Sequence, residues 1–290
     1  MHAISIAAEK IFTLFNWMPV TNSLLTAWVV MLILTILAYF GGRKIKEVPT
    51  GIQNVMEAFL DLLSGVFESI VGSSKQAKEF FGVVATIFIF VLFCNWFGLI
   101  PGVGSIGFFG SEPAIAENVS ENSVAPDSNT LTTEPTEGLP SDTDVKIEPS
   151  KNTETKGETV EFIPLFRAAS SDLSFTLAIA ICAVLYVQYM GFKHLKFGYL
   201  KKFFNFKNPI NAFVGILEIV SEFAKMVSFS FRLFGNVFAG EVLLVVMTFL
   251  VPIIIPVPFY GLEVFVGAVQ AGVFAALTLV FLKGAVAAHH

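Results

Sequence analysis

The chain has 290 residues, of which 54% are hydrophobic and only 14% are charged, and its formal net charge is −5. Soluble domains carry about 25% charged residues, so this composition excludes an ordinary soluble protein and indicates an integral membrane protein. The two cysteines and four histidines are scattered and form no ligand cluster, so neither a metal nor a cofactor site is predicted.

Long apolar runs predict three conventional membrane-spanning helices. A spanning helix needs about 20 predominantly apolar residues, and Ser23–Phe40, Phe80–Pro101 and Leu173–Phe192 meet that requirement. Between the first two runs, apolar residues of Gly51–Gly72 recur at helical spacing while acidic residues take another face. That pattern predicts an amphipathic helix, which either lies in the membrane interface or covers other helices.

The chain between the second and third spans has a different composition. Residues 102–165 are rich in Ser, Thr, Pro, Asn and Glu, a composition that buries too little apolar surface to fold alone. They are therefore predicted to form a flexible acidic loop. Residues 1–22 form a segment before the first span, residues 23–101 carry the first two spans, and residues 166–208 carry the third span and a basic segment.

The last part of the chain, residues 209–290, is apolar over most of its length and is interrupted by Pro252, Pro256 and Pro258. The prolines divide it into two helices that each exceed the length of a perpendicular span, so both are predicted to tilt. The predicted fold class is an all-α integral membrane protein with three conventional spans, one interfacial amphipathic helix and a C-terminal hairpin of two long tilted membrane helices.

The distribution of basic residues predicts the orientation. Lysines and arginines follow the first and third spans, whereas the loop after the second span is acidic. By the positive-inside rule, the N-terminus and the acidic loop face outward and the C-terminus faces the cytoplasm.

Polar residues align on one face of the first C-terminal helix, with Arg232 near its middle. A charge at the bilayer centre costs about 2.5–3.5 kcal/mol on insertion scales, and the sequence offers Arg232 no acid one turn away on its own helix. An intramembrane charge of this kind is functional by default. The stripe recurs every three or four residues and consists of Glu218, Ser221, Lys225, Ser228, Arg232 and Asn236.

A second polar group is predicted further along the hairpin. Glu241 lies nine residues after Arg232 and half a turn round the helix, while Glu263 and Gln270 share one face of the last helix. If the chain folds back near Pro252, Arg232 comes level with Gln270 and Glu241 with Glu263, within about one helical turn. The polar track then consists of two offset pieces, one on each side of Arg232.

Structural roles are open for some of these residues. Ser221 and Ser228 could bond to their own backbone, Asn236 could join two helices, and Lys225 has Glu222 as a nearer partner than Glu218. Glu241 and Glu263 favour an ion path, because intramembrane carboxylates typically line one.

The segment RLFGNVFAGE, Arg232–Glu241, closely resembles the hallmark of subunit a of the F-type ATP synthase, and further matches follow in order along most of the chain. They are Thr21, Asn22 and Ser23 before the first span; Pro49, Gln53, Asn54 and Glu57 around the amphipathic helix; Asn95–Pro101 in the second span; Arg167, Asp172 and Thr176 around the start of the third; and Gln270 with Ala271 in the last helix.

The resemblance implies a stationary subunit beside a rotating c-ring, in which an arginine faces a carboxylate of each rotor subunit across the interface. Two offset aqueous half-channels would deliver protons to those carboxylates and remove them, so that ion flow drives rotation. By this resemblance, Arg232 is the essential arginine and Asn236 its polar neighbour. The outer half-channel would be lined by Glu241, Glu263 and Gln270, and the cytoplasmic one by Glu218 and Ser228.

Two acids at Glu241 and Glu263 depart from family members that place a histidine at one of these positions. If the two carboxyl groups approach each other, they should titrate as a coupled pair, which suits a proton relay. The acidic loop is longer than the family pattern implies, and the resemblance assigns it no role.

The implied partners are the c-ring, b-type peripheral stalk subunits, the rest of the ATP synthase and the lipid bilayer, with no nucleic acid. The implied location is a bacterial plasma membrane, and the ATP chemistry lies on other subunits, so the chain itself is not an enzyme. One alternative is a Na⁺-translocating version of the same subunit, since the ion-binding carboxylate lies in the rotor. The others are a stand-alone ion channel or transporter and a structural scaffold of a respiratory complex.

Overall fold

The computed structural model describes nine stretches of the chain: residues 10–14, 18–42, 51–100, 102–103, 106–110, 161–196, 198–199, 209–251 and 254–287. Four predicted segments lie wholly or largely outside the described residues. They are the basic cluster 43–46, most of the acidic loop, much of the basic segment after the third span, and the turn at Pro252. Predictions about those segments stay predictions.

Helices dominate the described residues, and the predicted all-α membrane fold is confirmed. Every described α-helix except the amphipathic one is long and apolar enough to cross a membrane, which makes five candidate spans. The helices are α1 (Asn22–Gly42), α2 (Ile52–Val71), α3 (Ser74–Phe97), α4 (Leu173–Leu195), α5 (Pro209–Leu250) and α6 (Pro256–Val286). A short 3₁₀ helix, Ala169–Ser171, precedes α4.

The boundary of α3 differs from the predicted second span. The helix begins at Ser74, six residues before Phe80, and it ends at Phe97 rather than at Pro101. The prediction followed only the apolar run, whereas the polar segment before it continues the same helix, so hydropathy alone placed the start too late.

Four short strands were not predicted. Strands β1 (Lys10–Leu14) and β2 (Met18–Thr21) pair antiparallel, and β3 (Gly107–Gly110) pairs with β4 (Glu161–Pro164). Strands of four or five residues are too short to show a period-two pattern that stands out from their surroundings.

The predicted amphipathic helix is present as α2, and part of its apolar surface packs on other helices. Its buried side chains Leu63, Phe67 and Val71 pack towards α3 and α6. The helix ends at Gly72, whose φ of 77° is left-handed, and the ammonium group of Lys283 in α6 donates to the carbonyl of Ile70 over 3.2 Å.

Helix α6 lies at the centre of the bundle, because it contacts α2, α3, α4 and α5. Phe274, Leu279 and Leu282 of α6 are almost completely buried. Two side chains of α3 bind its backbone: Asn95 Nδ2 donates to the carbonyl of Gly267 over 3.1 Å and Trp96 Nε1 to that of Val264 over 3.0 Å. These contacts fix the helix that carries Glu263 and Gln270.

The chain separates into two compact units. Residues 1–108 and 163–290 form the unit that contains all the described helices, and residues 109–162 form the other. Only the two residues at each end of the second unit are described, and they belong to β3 and β4.

Candidate functional site

The predicted polar stripe lies on an outer face of α5. This helix is continuous from Pro209 to Leu250, so residues three or four apart stack on one side. Ser228, Arg232 and Asn236 are all exposed, and so are their apolar neighbours Val227 and Phe231. A charged side chain therefore lies in a narrow polar stripe beside exposed apolar side chains.

Arg232 forms no ion pair with an acid in the part of the chain that the structure describes. The described ion pairs join Arg167 to Glu241, Glu79 to Lys193 and to His194, and Lys225 to Glu222. The sequence predicted that Arg232 has no acidic neighbour one turn away on its own helix. Among the described residues, no acid from another helix pairs with it either.

A cleft of about 260 Å³ lies beside Arg232, between α5 and α6. Its lining combines four polar side chains of the stripe with apolar side chains of both helices. The lining residues are Ser221, Ala224, Lys225, Ser228, Phe229, Arg232, Leu277 and Phe281. Glu218, which was also predicted to line the cytoplasmic path, is not one of them.

Lys225 pairs with Glu222, as the spacing predicted. Their Nζ and Oε1 atoms lie 2.7 Å apart, and the Glu222 residue is 8% exposed. The ammonium group also lies 4.9 Å from the centre of the Phe281 ring, which gives a cation–π contact between α5 and α6. The wall of the cleft thus contains two cations: Lys225, whose charge is balanced by Glu222, and Arg232, which has no acidic partner among the described residues.

Asn236 and Gln270 join α5 to α6 one turn beyond Arg232. Asn236 Nδ2 donates to Gln270 Oε1 over 2.7 Å, and Gln270 is 5% exposed. The register predicted for the hairpin, with Arg232 and Gln270 level within about a turn, is therefore correct. Asn236 also joins helices, the structural role that the sequence left open for it.

The two intramembrane acids lie on the other side of this contact. The Glu263 carboxylate packs directly against Gly240, where an added Cβ would overlap it, and Glu241 is the next residue of α5. Glu263 is 8% exposed. The prediction that Glu241 comes level with Glu263 is thus confirmed to within one residue.

Arg167 is a member of this cluster that the site prediction missed. Its Nη2 and Nε atoms lie 3.3 and 3.4 Å from Glu241 Oε2. The sequence signal was present, because Arg167 belongs to the segment with Asp172 and Thr176 that resembles the family. Its partner is 74 residues away, so spacing alone could not identify the pair.

Short polar contacts hold the segment that carries Arg167. Its backbone N–H donates to Thr26 Oγ1 in α1 over 3.3 Å. Ser23 Oγ donates to Asp172 Oδ2 over 2.6 Å, while Asp172 caps α4 by accepting from the Ser174 N–H. The start of α1 and the start of α4 therefore fix this segment between them.

The arrangement has two polar regions along α5, one on each side of Arg232 and Asn236. One is the cleft with Ser221, Lys225 and Ser228, and the other is the carboxylate pair of Glu241 and Glu263. The described residues contain no group of three or more His, Cys, Asp or Glu side chains arranged to hold a metal ion.

Five helices that are long and apolar enough to cross a membrane define a multi-pass membrane protein. Two of them, α5 and α6, carry carboxyl groups within their apolar stretches, a feature typical of proteins with ion paths. The sequence pattern of the ATP synthase A chain family matches residues 24–283. The chain therefore belongs to the ATP synthase A chain family, whose members are subunits of the ATP synthase membrane sector, and the prediction based on Arg232–Glu241 is confirmed.

Individual relatives support the same assignment. The ATP synthase subunit a of Gloeobacter violaceus is 32% identical over 268 residues, which cover 92% of this chain and 85% of the relative. That of Moorella thermoacetica is 26% identical over 272 residues, or 93% of each chain. That of Helicobacter pylori is 27% identical over 284 residues, or 96% of each chain.

Proposed function

We propose that this chain is the stator subunit that guides protons to and from a rotating ring of c-subunits and so couples proton flow to rotation. Arg232 separates two offset half-channels. The outer one contains Glu241, Glu263, Gln270 and Asn236, and the cytoplasmic one contains Ser228 with Glu218 near its mouth.

The observation that carries this proposal is the exposed, unpaired guanidinium of Arg232 on an apolar helix face. A cation in hydrocarbon needs a counter-charge, and no acid of the described residues pairs with it. A carboxylate on a neighbouring rotor subunit supplies that charge. The guanidinium stays charged throughout, since arginine does not lose its proton in proteins.

This geometry defines the path of the proton. Each rotor carboxyl group that reaches Arg232 is favoured in its ionised form and releases its proton into one half-channel. Once it has passed the arginine, it takes a proton from the other half-channel and can then enter the lipid in neutral form. The membrane potential contributes about 2.3 kcal/mol per charge per 100 mV, and the offset between the two channels converts this energy into rotation.

The separation of the polar regions supports this path. The cleft and the carboxylate pair lie on opposite sides of the Asn236–Gln270 hydrogen bond. A continuous polar track would let protons cross without the rotor, whereas two separate tracks require the rotor to carry each proton past Arg232.

The assignment extends to partners and location. The chain works in a complex with the c-ring, b-type stalk subunits and the remaining ATP synthase, in a bacterial plasma membrane. Its N-terminus and acidic loop face outward and its C-terminus faces the cytoplasm. It performs no ATP chemistry itself.

Replacing Arg232 by alanine in the assembled complex tests this function. We expect Arg232→Ala to abolish ATP-driven proton pumping in membrane vesicles, because the rotor carboxylate then has no fixed cation to face. Arg232→Lys should also fail, since a compact ammonium lacks the planar, permanently charged fork.

The matched control is Lys193→Gln. Lys193 is also a cation on a membrane helix, but its Nζ pairs with Glu79 Oε1 over 2.7 Å, so pumping should continue. Coupled pumping in an assembled Arg232→Ala complex would refute the proposed function.

A further inference from the structure

We propose that Arg167 is a positioning residue of the outer half-channel: its guanidinium holds the Glu241 carboxylate ionised, beside the buried Glu263 carboxyl group that passes the proton on. This inference rests on the proposed function. It adds Arg167 to the outer half-channel and assigns different protonation states to Glu241 and Glu263.

The contact between Arg167 and Glu241 is the first step. Two guanidinium nitrogens of Arg167 lie 3.3 and 3.4 Å from the same oxygen, Glu241 Oε2. The two side chains are only 13% and 25% exposed, so water screens their attraction less than it would at a surface. A cation at this distance favours the ionised form of a carboxyl group.

Glu263 has a different environment. Its carboxylate packs against Gly240 of α5, it is 8% exposed, and none of the described ion pairs includes it. Of the two neighbouring carboxyl groups, Arg167 thus contacts that of Glu241. Because a buried carboxylate without a partner is costly, Glu263 is the member of the pair that holds the exchangeable proton.

The other charged groups near Glu241 are already engaged or turned away. From the start of α4, Asp172 accepts hydrogen bonds from Ser23 and Ser174. On α5 itself, Arg232 lies nine residues earlier and half a turn round the helix. The segment before α4 contributes Arg167, and α6 contributes Glu263.

The position of Arg167 is fixed by backbone contacts. Its N–H donates to Thr26 Oγ1, and the next residue, Ala168, is 5% exposed and belongs to the core around Leu233 and Val237 of α5. The backbone at Arg167 is thus fixed, which limits the positions that the guanidinium can take and keeps it near Glu241.

The test is the dependence of ATP synthesis on the pH of the side opposite the nucleotide-binding subunits. It is measured with the whole complex in proteoliposomes at a fixed membrane potential. For Arg167→Gln we expect a lower rate and a midpoint shifted by about one pH unit or more to the alkaline side, as for a carboxyl group that loses an adjacent cation. Arg167→Lys keeps the charge and should keep a midpoint close to that of the unmodified complex.

Lys193→Gln is again the control, because it removes a cation that pairs elsewhere. An unshifted midpoint in Arg167→Gln, or an equal shift in Arg167→Lys, overturns the inference. Should Arg167→Gln fail to assemble, the double variant Arg167→Gln/Glu241→Gln decides: restored assembly supports the pairing. Failure of the double variant alongside an assembled Glu241→Gln shows that Arg167 acts independently, which also overturns it.

The outcomes separate this inference from the proposed function. Pumping by Arg232→Ala would reject both. Loss of pumping in Arg232→Ala together with an unmoved pH profile in Arg167→Gln would reject only the role of Arg167.

Discussion

At the residue scale, the position of the Glu263 carboxylate depends on the absence of a Cβ atom at Gly240. The Glu263 carboxylate occupies the space that a side chain at position 240 would need. A residue with a Cβ would displace this carboxylate, and the protonation of a carboxyl group depends on charges within about 4–6 Å of it. In the proposed function, the glycine is therefore part of the outer half-channel although it has no functional group.

We expect Gly240→Ala to reduce ATP-driven pumping at least tenfold in an assembled complex, since a displacement of about 1 Å at a reacting group costs about 100-fold in rate. Gly261→Ala is the matched control, because it lies on the same helix as Glu263 and an added Cβ there meets nothing within 4 Å. Equal pumping by the two variants would show that Glu263 need not stay in this position.

The sequence predicted Arg232, Glu241, Glu263 and Gln270 as candidate site residues, because a polar residue inside an apolar run stands out without any structure. That reasoning did not single out Arg167, because Arg167 lies outside the long apolar runs and an arginine in a polar segment is common. The role proposed for it rests on a contact with a residue 74 positions away, which only the folded chain reveals.

At the scale of elements, α2 is attached to the bundle at its C-terminal end. Gly72 ends the helix with a φ of 77°, and α3 starts two residues later at Ser74. Such a short connection leaves the chain little freedom, so the left-handed residue at the helix end is required. Lys283 strengthens this end by donating to Ile70, in the favourable orientation of a cation near a helix C-terminus.

Replacing Gly72 by alanine should lower the stability of the membrane sector by about 1 kcal/mol, because a left-handed backbone costs residues with a Cβ about 1–2 kcal/mol. Gly82→Ala should have the opposite sign and stabilise by about 0.5–1 kcal/mol, since Gly82 lies inside α3 and has open space around it. Thermal unfolding of the purified membrane sector in detergent measures both. A stabilising Gly72→Ala would contradict the account of this connection.

Hydropathy and periodicity predicted the existence and type of the six described helices, because five are long and apolar and α2 is strongly amphipathic. They predicted less well where elements begin: the polar first turns of α3 carry no hydrophobic signal, yet Ala77 at their end is buried in the core. The short strands depend on pairing between segments, and their sequences of four or five residues hold no pattern that predicts it.

At the scale of the whole molecule, the helical unit fixes two polar regions relative to one exposed arginine. Helix α6 holds α5 in register through the Asn236–Gln270 and Lys225–Phe281 contacts. Helices α3 and α4 hold the pair in turn, through Asn95 with Gly267 and Thr176 with Ser230. The face of α5 around Arg232 remains uncovered by the described residues, and in the proposed function a carboxylate of the rotor supplies its counter-charge.

Disulfide cross-linking to the rotor tests this central claim most directly. In a complex whose Cys94 and Cys182 are replaced by serine, a cysteine is placed at Phe231, next to Arg232, and another beside the ion-binding carboxyl group of the c-subunit. The account predicts an oxidative cross-link between the two chains, and none for Leu37→Cys, which is also exposed but lies on α1. Absence of the Phe231 cross-link in an assembled complex, or an equally strong one from Leu37, would contradict it.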